Sequence, residues 1–156
     1  MLYDQLKEQQ EELLCDFGTV HLFEDIHHHF KRIFQLQKKY LFFYLDTLEV
    51  LRAYPVIKQK HQQHIVWQLQ QIEWMFELNI FRGIFKDQFQ DGQIKKSAWL
   101  FWITMDNWMH ARLIQGLEHL SEENFLKDMW CLLMPYFTEE GQQEFQTLIH
   151  SHRVEI

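Results

Sequence analysis

The sequence predicts an all-α protein, and three observations carry that prediction. Only 5 Gly and 2 Pro occur in 156 residues, too few for the turns of a β-sandwich or barrel. Apolar residues recur at three- and four-residue steps over long stretches, with no two-residue alternation. The chain is 47% apolar and carries 14 Phe, 6 Trp and 5 Tyr, enough for a core that needs no disulfide or metal staple. The length and the lack of a linker-like stretch predict a single domain over 1–156.

The elements follow from period and punctuation. A first helix is expected over 2–16, marked by Leu2, Leu6, Leu13 and Leu14, with Gly18 just past its end. A second covers 20–37, with Thr19 as a candidate N-cap and Leu22, Phe23, Ile26, Phe30, Ile33, Phe34 and Leu36 in phase. The third, 39–53, is dense in Tyr, Phe and Leu, which predicts burial. Pro55 ends it and starts a fourth, because proline disfavours helical geometry in the residue before it and suits a first helical turn. The apolar marks run on to Phe89, ahead of Asp91-Gly92, giving a helix about 50 Å long at 1.5 Å per residue, with Gly83 as a possible bend. The fifth is expected over 96–114 and the sixth over 122–137, with Ser121 as N-cap and Pro135 near the end. A short tail helix follows Thr138.

Charge and composition then exclude function classes. The net charge is −7 with ten His counted neutral, a poor match for a phosphate backbone. Cys15 and Cys131 form no C-x-x-C motif, so a disulfide scaffold is excluded and reduced, cytoplasmic thiols are expected. Cys131 lies in an apolar run, where a thiol stays protonated and inert. The N-terminal residues are too charged for a signal peptide, and no apolar run approaches the roughly 18 residues of a membrane span. No phosphate loop, serine elbow or catalytic carboxylate pair is present, so no enzymatic activity and no cofactor are expected.

Two helices have little polar face. Residues 98–103 (Ala-Trp-Leu-Phe-Trp-Ile) and 129–134 (Met-Trp-Cys-Leu-Leu-Met) are apolar all round. Such a helix is either central in its domain or covered on its second side by another chain. Two of them, adjacent and antiparallel, predict a homodimer with a four-helix bundle across a two-fold axis, against the alternative of a buried hairpin within a monomer.

Particular residues carry a family resemblance over most of the chain. They are Phe42-Phe43-Tyr44-Leu45-Asp46-Thr47-Leu48, Tyr54-Pro55-Val56-Ile57, Asp91-Gly92-Gln93-Ile94, Trp102 through Asn107-Trp108, and 132–141, Leu-Leu-Met-Pro-Tyr-Phe-Thr-Glu-Glu-Gly. In order and spacing, from Leu2 to Ile149, the chain resembles the C-terminal regulatory domain of the tetracycline-repressor (TetR) family of bacterial transcription regulators. The resemblance implies a helical domain that senses a small effector. It also implies dimerisation through a four-helix bundle of the last two long helices. Effector binding would shift a connector helix and change the spacing of two DNA-reading heads. The family's N-terminal helix-turn-helix has no counterpart here, and Met1-Leu2-Tyr3 stands where the connector would begin. DNA binding is therefore expected of the parent protein only, through a domain outside this chain, with a cloned or proteolytic fragment as the simplest account.

The candidate sites are these. An effector pocket, apolar with a few polar handles, is expected at Phe43, Tyr44, Thr47, Trp67, Gln71, Trp74, Thr104, Asn107 and Trp108. The dimer interface is expected at Trp102, Met105, Met109, Phe125, Met129, Trp130, Leu133 and Met134. A neutral, apolar or aromatic effector fits best, since no inward Arg or Lys cluster is evident. His27-His28-His29, Glu24-x-x-His27 and His61-x-x-His64 have helix-face spacings that can bind metal, but no complete ligand set is identifiable and no metal is expected. Two rival readings remain at this point: a helical protein-interaction module with no effector, and a metal-binding bundle.

Overall fold

The computed structural model describes residues 2–15, 22–87 and 90–152, the side chains of residues 14 and 15 excepted. The described part is α-helical throughout, apart from turns and one isolated backbone bridge. Seven α-helices follow in order: α1 (Leu2–Cys15), α2 (Phe23–Lys39), α3 (Leu41–Ala53), α4 (Pro55–Phe81), α5 (Gln93–Ile114), α6 (Glu122–Leu133) and α7 (Glu139–His152). Gly18, Thr19 and Phe89, given roles above, lie outside the described residues.

Helix α2 is the central element. It packs against α1, α3, α6 and α7 and buries residues on more than one side, among them Phe23, Ile26, His27, Phe30, Phe34 and Gln37. Helices α4 and α5 pack antiparallel, α1 lies across α2 and α4, and α3 leans on α4 and α5. The heavy aromatic load resolves into a solid core. Phe23 sits 4.9 Å from Phe137 and 5.1 Å from Trp130 between ring centroids, and Trp130 sits 5.0 Å from Phe145. Tilted and edge-on pairs of this kind add roughly 0.5–1.5 kcal/mol each beyond the area they bury.

Several of the expected helix boundaries shift. Helix α4 stops at Phe81 and does not reach Phe89. Gly83 is a stop, not a bend: at φ 74° it takes the left-handed conformation that glycine adopts cheaply, and its N–H donates to Ile80 O at 2.9 Å. The chain then runs extended against the segment after α6. Lys86 N donates to Tyr136 O at 2.7 Å, Thr138 N donates to Ile84 O at 3.0 Å, and Phe85 bridges Phe137. Helix α5 begins at Gln93, directly after Gly92 (φ 76°). Helix α6 ends at Leu133; a 3-10 turn, Met134–Tyr136, absorbs Pro135. The tail helix α7 is a full 14-residue element. Its first turn is capped by Thr138, whose hydroxyl accepts from Gly141 N at 3.1 Å. Ser121 caps α6 as expected, accepting from Asn124 N at 3.3 Å.

Candidate functional site

An apolar cavity lies where α1, α3 and the start of α4 meet. Its volume is about 530 Å³. Leu2, Tyr3 and Leu6 of α1 form one wall, Phe42, Phe43 and Val50 of α3 a second, and Tyr54 to Ile57 a third. Local sequence chemistry opens this corner. Thr47 Oγ donates back to Phe43 O at 2.6 Å, a bond that bends helices, and the next-door Asp46 leaves helical geometry (φ −110°, ψ 20°). Pro55 then forces α4 to start at a new angle, with Tyr54 out of helical geometry ahead of it (φ −129°, ψ 87°).

The walls are hydrocarbon and aryl. Tyr3 packs on Phe43 with centroids 5.4 Å apart, and its hydroxyl lies 3.3 Å from His61 Nδ1. Burial raises the Tyr3 hydroxyl to about 12 and lowers His61, so the phenol keeps its proton and faces a neutral imidazole. At the rim, Lys60 Nζ pairs with Asp4 Oδ1 at 2.8 Å. The hydrogen bond from Lys60 holds the Asp4 carboxyl below its usual range. The two rim charges cancel, so the cavity offers no net charge to a ligand.

Behind the cavity runs a buried polar row. Gln10 Nε2 donates to Tyr44 Oη at 2.6 Å, and His64 Nε2 donates to Gln10 Oε1 at 2.8 Å. Burial lowers His64 to about 4 despite Glu11 at 3.6 Å, so the imidazole is neutral. Trp67 stacks on His64 (5.5 Å, 16°), and Trp102 Nε1 donates to Gln68 Oε1 at 3.1 Å. Asp106, beside Tyr44, is raised to about 7 by burial.

The structure does not gather the nine pocket residues named from sequence. Phe43 alone lines the cavity. Tyr44 belongs to the polar row, Gln71 is buried on α4, Thr47 bends α3 and Trp67 covers His64. Trp74 is 47% exposed. Thr104 and Asn107 donate to carbonyls of their own helix. Trp108 seals α5 to α6, donating to Asp128 Oδ2 at 2.7 Å and packing edge-on to Phe125. The cavity sits at helix ends, so the sequence had no mid-helix period to point at Leu2, Tyr3, Tyr54 or Val56. The Tyr-Pro break at 54–55 was the available signal.

Of the expected interface residues, Met105, Met109, Phe125, Met129, Trp130 and Leu133 are buried within the chain's own core. Trp102 is half-buried and Met134 is 41% exposed. The outward face of α5 instead carries Trp99, Leu100 and Ile114, each 48% exposed or more. Cys131, in the apolar run of α6, is a free and exposed thiol.

The histidine run divides. His27 is fully buried, accepts from Trp130 Nε1 at 3.2 Å, and is lowered to about 4, chiefly by burial. His28 bonds to Glu24 O, and His152 approaches Glu24 at 3.3 Å. Among the described residues, no group of three or more His, Cys, Asp or Glu is placed to hold a metal ion. No helix among them is long and apolar enough to cross a membrane.

The structure superposes on the crystal structure of a TetR-family transcriptional regulator from Marinobacter aquaeolei VT8 with a TM-score of 0.81. Identity is 19%, and the match covers 96% of this chain and 72% of that one, a likeness of fold. No curated protein matches the sequence. The family model TetR, described as bacterial transcriptional repressor, matches residues 3–145. With that match spanning nearly the whole chain, the protein belongs to the TetR family of bacterial transcriptional repressors.

Proposed function

We propose that these helices form the effector-sensing, homodimerising part of a transcriptional regulator, and that DNA is contacted by a helix-turn-helix lying outside them. The observation that carries the reading is the 530 Å³ apolar cavity with α1 as one wall. A ligand there touches Leu2, Tyr3 and Leu6 directly, so occupied and empty cavities favour different positions of α1. A helix whose position depends on occupancy is the kind of two-state element that couples a sensor to a distant reader. The net charge of −7 supports assigning DNA contact elsewhere.

The effector is neutral and largely apolar. The cavity is lined by Leu, Val, Ile, Phe and Tyr, and its two charged neighbours, Asp4 and Lys60, are spent on each other. The homodimer forms through the outer side of α5, flanked by Met134 of the 3-10 turn after α6, because apolar surface of this extent on a helix asks for a partner.

The test is a thermal-shift screen with neutral amphiphiles such as medium-chain alcohols, esters and Nile red. A ligand at 100 times its Kd stabilises by about 2.7 kcal/mol, which raises Tm by roughly 5–10 °C for a chain of this length. Val50→Trp, which fills the cavity, abolishes the shift and leaves helix content unchanged. An equal shift in both proteins sinks the assignment of the site.

A further inference from the structure

Polar contacts fasten α1 to α4, and they differ in kind. Asp4 and Lys60 pair at 2.8 Å, but their side chains are 43% and 47% exposed, where an ion pair holds little. Tyr3 Oη lies 3.3 Å from His61 Nδ1, longer than an ordinary hydroxyl hydrogen bond. Gln10 is held more firmly. It is 8% exposed, and both ends of its amide are used. Nε2 donates to Tyr44 Oη at 2.6 Å, and Oε1 accepts from His64 Nε2 at 2.8 Å. One side chain of α1 thereby bridges α3 to α4.

The bridge stands just behind the cavity. Gln10 is one helical turn past Leu6, His64 one turn past Lys60, and Tyr44 directly after Phe43. Leu6, Lys60 and Phe43 line the cavity, and the three bridging residues do not. The bridge is uncharged, since burial keeps the His64 imidazole neutral and the Tyr44 phenol protonated. An outward shift of α1 by about 1 Å carries both bonds past hydrogen-bonding distance. It leaves an amide, an imidazole N–H and a phenol without their partners. Leu6 and Leu13 of the same helix are held by apolar contact, which is non-directional and tolerates a small slide. Resistance to that shift is therefore concentrated at Gln10.

We infer that Gln10 is the latch of α1: it holds the helix in the position of the empty cavity, and an effector that pushes the cavity walls apart works against it. Gln10 is a positioning residue. It touches no ligand, yet it sets how much effector is needed. A ligand whose binding-competent arrangement is a minor population binds with an affinity lowered by that fraction, and the latch supplies the penalty. This rests on the effector reading above and adds the contact that opposes the effector.

The experiment uses the full chain as wild type, Gln10→Leu, Tyr44→Phe and the double variant. Leu fills the place of the amide without either bond, and Phe keeps the Tyr44 ring while removing one bond. Hydrogen exchange without ligand reads the position of α1, and a fluorescence titration with Nile red reads the cavity. Gln10→Leu is expected to exchange faster over Leu2–Cys15, with the core of α2 and α6 as in wild type. It is also expected to bind Nile red about tenfold more tightly. Tyr44→Phe moves both readouts the same way by less. The double variant moves little beyond Gln10→Leu, because the two substitutions remove a shared bond. An amide that only supports the cavity wall predicts the opposite sign, weaker binding once it is lost. Unchanged exchange of α1 in Gln10→Leu overturns the latch. Faster exchange with equal or weaker Nile red binding overturns its opposition to the effector and leaves the cavity standing. Nile red that binds no version of the protein sinks the effector reading, and the exchange result alone then decides whether Gln10 holds α1. If Gln10→Leu does not fold, Tyr44→Phe, which deletes a single oxygen, carries both readouts.

Discussion

Replacing Trp130 by Ala separates a core role from an interface role, because the two predict different losses. The indole is fully buried. Its ring packs 5.1 Å from Phe23, 5.5 Å from Phe30 and 5.0 Å from Phe145. Deleting a large buried aromatic costs about 3–5 kcal/mol, from lost transfer energy and the cavity left behind. The lost hydrogen bond from Nε1 to His27 Nδ1 (3.2 Å) adds about 1 kcal/mol, because the imidazole nitrogen stays buried without a partner. The sum, about 4–6 kcal/mol, is a large part of the roughly 5–15 kcal/mol that holds a domain together. At about 2–4 °C per kcal/mol, Tm falls by roughly 8–24 °C. Trp130→Phe keeps most of the packing and loses the bond, so it costs less, about 1–3 kcal/mol. Urea unfolding followed by circular dichroism measures both, with light scattering beside it. A Trp130→Ala protein that keeps wild-type stability and becomes monomeric refutes the placement of this ring in the core.

Three further outcomes follow from the same geometry. A Cβ added at Gly141 meets the Ile84 carbonyl oxygen, with Ile84 C and Cγ2 at 3.3 Å, so Gly141→Ala pushes α7 off the extended segment. Overpacking of about 1–3 kcal/mol outweighs the roughly 1 kcal/mol of helix propensity gained, and the chemical-denaturation midpoint falls. His27 and His64 are both lowered to about 4 from an ordinary value near 6.5, so below pH 6.5 the unfolded chain binds protons that the folded chain refuses. Stability is therefore fully present above pH 6.5 and falls as pH drops towards 4, by the order of 3 kcal/mol per histidine; unfolding free energies at pH 7 and 4.5 measure it, and His27→Gln flattens the slope. Asp106 is raised to about 7, the opposite sign: its burial costs stability as pH rises above 4, so Asp106→Asn stabilises at pH 8 by about 1–3 kcal/mol, read from the same titration.

Much of the fold was legible because local chemistry and global packing agree. Pro55 starts α4, Ser121 caps α6, and the period of Phe23, Ile26, Phe30, Ile33 and Phe34 marks the inner side of α2. The end of α4 was not legible, since Ile84 and Phe85 extend its apolar run while serving a different purpose. They pair with the backbone at 136–138 and join the aromatic core. Helices α5 and α6 read as apolar all round, yet which face turns inward depends on where α2 lies, and sequence period is blind to that. Trp130 and Met129 therefore read as surface from the sequence, while their ring and thioether fill the core. The cavity was missed for a geometric reason. It forms where three helices end or bend, and Leu2, Tyr3, Phe42 and Val56 come together only in space.

Hydrogen exchange by mass spectrometry, with and without a saturating hit from the thermal-shift screen, reads whether an apolar effector in the α1–α3–α4 cavity acts on α1. Added protection is expected in α1 (Leu2–Cys15) and over 41–57, with the core of α2 and α6 unchanged. Protection confined to α4 and α5, with α1 exchanging as before, contradicts both the site and the coupling.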